Sequence, residues 1–137
     1  MAKRAEVTLR EGTDLDLPLL LRVLEECPEA ASWADSAPAL IAEFEGVVSG
    51  FALYRVVADE GELLNLAVLP SMRRQGVATR LLKEVLKRAE IWHLEVRESN
   101  LGAIELYEGH GFATTGRRER YYRDGEAALL MSRIQAN

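Results

Sequence analysis

Two stretches hold side chains whose types and spacing could do chemistry. In the first, Arg73, Arg74, Gln75, Gly76 and Ala78 stand between an apolar run, LLNLAVL, and a leucine repeat that begins at Val77. A helix starting near Val77 leaves the N–H groups of its first turn, through Thr79, without intrahelical partners. Those groups carry about half a positive charge through the helix dipole. Gly76 lets a ligand come close to the backbone, Ala78 adds little bulk, and the two arginines add full charges. Such a turn suits a pyrophosphate. It lacks the Lys-Ser/Thr of a Walker A turn and the spacing of a dinucleotide-binding glycine fingerprint. The same residues could also serve turn geometry and solubility alone.

The second stretch offers an acid and a base. IWHLEVRE alternates, with Trp92, Leu94 and Val96 on one face and His93, Glu95 and Arg97 on the other. Glu95 could accept a proton, or only solvate an open strand face. A carboxylate is a weak base for an ammonium, so proton removal implies a relay through water or a raised pKa. His93 reads as a surface histidine. In SNLGAIELYEGHGF, Ser99 and Asn100 are cap residues and Gly109 or Gly111 is the stop. Tyr107 follows Asn100 by seven residues, two turns along one helical face. A phenol can protonate a thiolate leaving group only if its own proton is replaced. Leu101, Ile104 and Leu106 are expected to supply the apolar packing of this helix, and Tyr107 could instead be a core aromatic.

The elements that position these groups follow from periodicity. AEVTLREG reads as a strand, and LDLPLLLRVLEEC as a helix capped by Thr13 or Asp14 with Pro18 in its first turn. EAASWADSAP, around Trp33, is a short helix or a loop. ALIAEFEG, GFALYRVVADE and GELLNLAVL read as strands joined by turns at Gly46–Gly50 and Glu60–Gly61. A helix is expected from Val77 to Glu90, then the IWHLEVRE strand, the helix after Asn100, and two strands around Asp124–Gly125. The order predicts one α/β domain over residues 1–137, with a mixed sheet of about seven strands flanked by helices. The strands on either side of the Val77 helix should be parallel neighbours.

Composition narrows the class. The 137 residues are 48% apolar and 28% charged, ordinary for a globular domain. The formal charge of −5 argues against non-specific nucleic-acid binding. Cys27 is the only cysteine, so a reducing, cytoplasmic setting is expected, and two histidines at wide spacing suggest no metal site. MAKRAEVTLREG has no apolar core of a signal peptide, and no apolar run reaches the length of a membrane span.

Taken in order, Arg73-x-x-Gly76-x-Ala78, then LEVRESNLGAIELYEGHGF, then RYYRDGEAALLM resemble the GNAT N-acetyltransferase family, in particular its members that act on protein N-termini. The resemblance covers about Glu62 to Ser132. It implies acetyl-CoA as cosubstrate and central parallel strands that splay apart. Amides of the strand Leu66–Leu69 would bind the pantetheine arm, with Val68 foremost, and those from Arg74 to Thr79 the pyrophosphate. Asn100 and Tyr107 would also contact the cofactor. Glu95 would be the general base and Tyr107 the general acid. Asn65, Glu95, Tyr121, Tyr122 and, on an opposite wall, Trp33 would meet the substrate. Ala78 stands where the family more often has glycine, Ser32-Trp33-Ala34 where it has Pro-Trp-Ser, and the helix after Ala78 is about a turn short.

The acceptor implied is a protein N-terminus, with the alanine of a ribosomal protein first among candidates. At neutral pH an α-amine is roughly 10% uncharged and a lysine under 0.1%, so a weak carboxylate base suits the former. A small-molecule amine, a protein lysine, and a CoA-binding module without catalysis are the alternatives.

Overall fold

Two tight hairpins open the sheet. Strand β2 (Ala39–Phe44) turns into β3 (Val47–Val57) through Glu45–Gly46, and β3 into β4 (Glu60–Val68) through Ala58–Asp59. The four turn residues have φ of 51°, 78°, 50° and 65°, as a type I′ turn requires to match the twist of its strands. The turns expected at Gly46–Gly50 and Glu60–Gly61 are therefore corrected. Gly50 lies inside β3, because a Cβ there would come within 2.7 Å of the Ala67 carbonyl oxygen. The register also shifts beside it, between Ala42 and Glu43. Gly61 lies inside β4, where a Cβ would stand 2.6 Å from the Trp92 ring.

The computed structural model describes residues 6–30 and 38–134. Its seven strands also include β1 (Val7–Glu11), β5 (Ile91–Arg97), β6 (Ala113–Arg118) and β7 (Ala128–Ile134), hydrogen-bonded in the order β1-β2-β3-β4-β5-β7-β6. The sheet is mixed. β1 with β2, β5 with β7 and β6 with β7 are antiparallel, while β4 and β5 are parallel. The parallel register pairs Glu60–Leu63 with Ile91–Leu94, and both strands continue past it, β4 to Val68 and β5 to Arg97. The chain packs as two compact units. One runs to Tyr54 and includes Leu64–Val85; the other comprises Arg55–Leu63 and the chain from Leu86 on.

In the first unit, helix α1 (Leu17–Glu25) follows a 3₁₀ turn, Asp14–Asp16, capped reciprocally by Thr13 and Asp16. Asp16 is buried and paired twice with Arg10, at 2.8 and 2.9 Å. Leu20, Val23, Cys27, Ile41, Phe51, Leu53 and Ala67 form one apolar cluster. Each large side chain there contributes on the order of 1.5–3 kcal/mol by burial.

Helix α2 (Val77–Leu86) stops four residues before the expected Glu90. The reason lies in the second unit. The N–H groups of Glu90 and Ile91 donate to the Asp59 carbonyl, and the Trp92 indole N–H to those of Leu86 and Ala89. These bonds turn the chain into β5. Helix α3 (Leu101–Glu108) begins at Asn100, whose side chain accepts from the Ala103 N–H at 3.2 Å. Tyr107 is its one buried residue, while Leu101 is 73% exposed. The apolar packing expected of Leu101 thus falls to Tyr107 with Phe112, their ring centroids 5.7 Å apart.

The strand expected through RRERYYRD ends at Arg118. Tyr121 and Tyr122 lie in the loop before β7, their N–H groups both donating to the Glu126 carbonyl at 3.1 Å. Arg120 just before them has φ of 52°, outside the range of a strand. Among the described residues, no helix is long and apolar enough to cross a membrane.

Candidate active site

The chemistry-bearing residues form two groups, one in each unit. In the first unit, β4 passes through Leu69 and a 3₁₀ turn, Pro70–Met72, into the segment Arg73–Gly76. Arg74 and Gly76 have φ of 63° and 79°. Alternating handedness of this kind curls successive N–H groups into an anion-binding concavity. The first helical bond of α2 is Arg80 N–H to Gly76 O, at 2.9 Å. The amides of Val77, Ala78 and Thr79 precede it and have no acceptor within the helix. A Cβ at Gly76 would meet nothing within 4 Å, so the space in front of this turn is open. Arg74, Gln75 and Gly76 are exposed, Ala78 and Thr79 half-buried, and Val77 buried.

The two arginines are placed differently. Arg73 turns back onto its own unit. Its Nε donates to the Val68 carbonyl at 3.2 Å, and its Nη2 contacts the Cys27 sulfur at 3.7 Å and pairs with Glu29. Cys27 Sγ also donates to Val68 O, at 3.3 Å, and burial pushes its thiol above the usual value. Among the described residues Arg74 makes no such contact, and it is exposed at the turn. Leu69 N–H donates to Ser49 O of β3 at 2.8 Å. Backbone groups alternate along a strand, so the amides of Leu66 and Val68 face away from β3. Asn65, the residue before Leu66, is buried.

In the second unit, β5 carries Trp92, Leu94 and Val96 buried and Glu95 exposed, as its alternation required. His93 is tied to Ser132 at 2.8 Å and Glu60 at 3.0 Å, a structural role. The neighbouring Glu95 carboxylate, ahead of burial, raises the Tyr121 phenol above its ordinary value. Tyr122 stands edge-on to Tyr121, centroids 5.0 Å apart, and its phenol is raised chiefly by burial. Tyr107 is raised well above the ordinary phenol range by burial, with a smaller contribution from Tyr122. A phenol so placed stays protonated across the neutral range.

The structure thus gathers Glu95, Tyr121, Tyr122 and Tyr107 in one unit and Leu66, Val68 and Arg73–Thr79 in the other. Trp33 lies outside the described residues. Asn100 is spent on capping α3. Sequence reasoning passed over Arg97 and Glu126. Arg97 stacks over the Tyr122 ring at 4.1 Å and donates to Asp124 at 2.8 Å and Glu126 at 2.9 Å. The available signal was its place two residues after Glu95 on the same strand face.

Residues 10–112 match the model of the Acetyltransferase (GNAT) family. The chain is 42% identical over 96 residues to the [ribosomal protein bS18]-alanine N-acetyltransferase of Escherichia coli (strain K12), a stretch covering 64% of each chain. It is 36% identical over 110 residues to an N-alpha-acetyltransferase of Sulfurisphaera tokodaii, covering 67% of this chain and 66% of that one. The match therefore spans less than two thirds of the length of either relative. The crystal structure of the ribosomal-protein-S18-alanine N-acetyltransferase from Escherichia coli superposes with a TM-score of 0.82 at 30% identity, covering 96% of both chains. The shared sequence, reaching through the open turn and the strand of Glu95, shows that the chain belongs to the GNAT acetyltransferase family.

Proposed function

We propose that this chain is a single acetyltransferase domain that moves the acetyl group of acetyl-CoA to a protein N-terminal α-amine, with a ribosomal protein's N-terminal alanine the first acceptor to test. The observation that carries the reading is the open turn at Gly76, where a left-handed glycine with nothing in front of it begins a ten-residue helix. Its free amides and the Arg74 charge fit a pyrophosphate. The Leu66 and Val68 amides fit the amide groups of a pantetheine arm. The family membership and the names of the relatives support the same chemistry.

Acetyl-CoA, when bound, supplies the activated acetyl thioester. The protein's residues do the rest. The Val68 amide polarises the acetyl carbonyl, as an oxyanion-hole donor does. Glu95 takes a proton from the α-ammonium through water, which leaves the neutral amine as nucleophile. The amine nitrogen bonds to the acetyl carbon and the carbon–sulfur bond breaks. Tyr107 delivers its phenol proton to the leaving sulfur and regains one from the amine. Tyr121 and Tyr122 flank the incoming chain terminus. Cys27, the one cysteine of the sequence and buried, fits a cytoplasmic setting.

The test is acetylation of a hexapeptide with a free N-terminal alanine and an internal lysine, beside its N-blocked copy, with mass spectrometry locating the product. Acetyl on the α-amine of the free peptide alone is expected. Acetyl on lysine in both at similar rates would overturn the α-amine assignment and favour the lysine alternative.

A further inference from the structure

Glu95 and the tyrosine pair sit on different elements, a strand and a loop. Something must hold the loop in place. Arg97 belongs to the strand and contacts the loop. It lies on the polar face of β5, two residues beyond Glu95. Its guanidinium stacks 4.1 Å over Tyr122. Its Nη1 donates to Asp124 Oδ2 at 2.8 Å and Glu126 Oε1 at 2.9 Å, both in the tyrosine loop.

Glu126 extends the connection. Its second carboxylate oxygen accepts the Ser99 N–H at 2.7 Å, one residue before the Asn100 cap of the helix that carries Tyr107. Its backbone carbonyl accepts the N–H groups of both Tyr121 and Tyr122. Asp124 closes the loop on itself, its Oδ1 accepting the Glu126 N–H at 3.0 Å. Arg97 is only a quarter exposed, and Glu126 slightly less, so water competes weakly for this pair. Arg117 with Glu98 and Glu119, near the same loop, forms a more exposed set of ion pairs.

From this arrangement we infer that Arg97, anchored through Glu126, is a positioning residue that sets the acceptor site: it fixes the tyrosine pair over Glu95 and ties that loop to the start of the Tyr107 helix. The inference rests on the proposed acetyl transfer for its kinetic consequence, though not for its structural one. A guanidinium suits the task because its plane can stack on a ring while its edge donates to carboxylates. A lysine has the charge but cannot do both at once.

The test compares wild type with Arg97→Lys, Arg97→Met and Glu126→Gln. Each variant is expected to raise the KM for the Ala-led hexapeptide about tenfold, with a smaller fall in kcat and unchanged affinity for acetyl-CoA by calorimetry. The double variant Arg97→Met/Glu126→Gln should be no worse than the poorer single, since the two act as one unit. Amide hydrogen exchange reads the positioning without any turnover. Protection of the Tyr121 and Tyr122 amides should fall about tenfold in the Arg97 variants, while that of Leu94 in β5 stays. If Arg97→Met fails to fold, Arg97→Lys and Glu126→Gln carry the test. Wild-type peptide KM or wild-type tyrosine protection in folded variants would overturn the inference. A wild-type protein that acetylates no peptide, yet shows the exchange effect, would overturn the proposed acceptor and leave the positioning role standing.

Discussion

The turn proposed to hold phosphate and the cluster proposed to move protons use polar side chains in opposite ways. At the turn, the groups suited to a ligand are backbone amides and a missing side chain at Gly76. The nearby Arg73 is spent on Val68, Cys27 and Glu29, which fixes the turn to its own unit. In the cluster, the groups suited to chemistry are side chains, held by backbone and side-chain bonds alike: Glu126 O takes both tyrosine amides, and the Asn100 side chain caps the Tyr107 helix. Backbone recognition suits a constant cosubstrate, whose pyrophosphate never varies. Side-chain chemistry suits the proton transfers, which need groups that change charge.

The sharpest break in this comparison is Gly76→Glu. The added carboxylate would fill the open space and repel a pyrophosphate, so acetyl-CoA binding should be lost in a folded protein, as calorimetric titration and circular dichroism would record. In the other unit, Tyr107→Phe should leave binding intact and slow turnover by about 10²-fold. Raising the pH should not rescue it, since the missing proton belongs at the sulfur. Burial raises the Tyr107 phenol above its ordinary value, so the folded protein keeps that proton where an unfolded chain loses it. Stability should therefore fall as pH rises past about 10, and less steeply in the phenylalanine variant.

Two glycines sharpen the contrast within the first unit. Gly50→Ala should cost about 3 kcal/mol, because the new methyl meets the Ala67 carbonyl. Gly76→Ala should cost about 1 kcal/mol, the strain of a left-handed alanine, and express itself mainly as weaker acetyl-CoA binding. Denaturant melts beside titrations separate the two. An effect on stability alone, with no change in acetyl-CoA binding, is expected at Asp16, whose carboxyl Arg10 holds down at about 2. That pair contributes stability at pH values above the ordinary carboxylate range, which is lost as pH falls through about 2. Asp16→Asn should thus lose on the order of 1–2 kcal/mol at neutral pH, and the gap to wild type should close in acid.

Much of this was legible in the chain. The alternation of IWHLEVRE placed Glu95 on an open face, and the Gly76–Val77 boundary marked the helix start correctly. Asn100 as a cap and β4 parallel to β5 also followed from local pattern. The misses were tertiary. Gly50 and Gly61 looked like turn residues, yet each makes room inside a strand for an atom distant in sequence. The capture of Glu90 and Ile91 by Asp59, which ends α2 early, crosses some thirty residues and leaves no local trace. The contacts of Arg73 with Glu29 and Cys27 are also tertiary, and nothing in its neighbourhood announces them. Arg97 was visible as a neighbour of Glu95, but its partners Asp124 and Glu126 lie nearly thirty residues on.

The central claim is that one region binds and the other does the proton chemistry. Glu95→Gln tests it most directly, with acetyl-CoA affinity and the pH–rate profile measured on the same preparation. Affinity should match wild type, and turnover of an Ala-led peptide should fall by about 10²–10⁴-fold at neutral pH. The deficit should shrink at high pH, where the α-amine is already neutral. Wild-type rates across the whole pH range, or a loss of acetyl-CoA binding that accounts for the slower rate, would contradict the account.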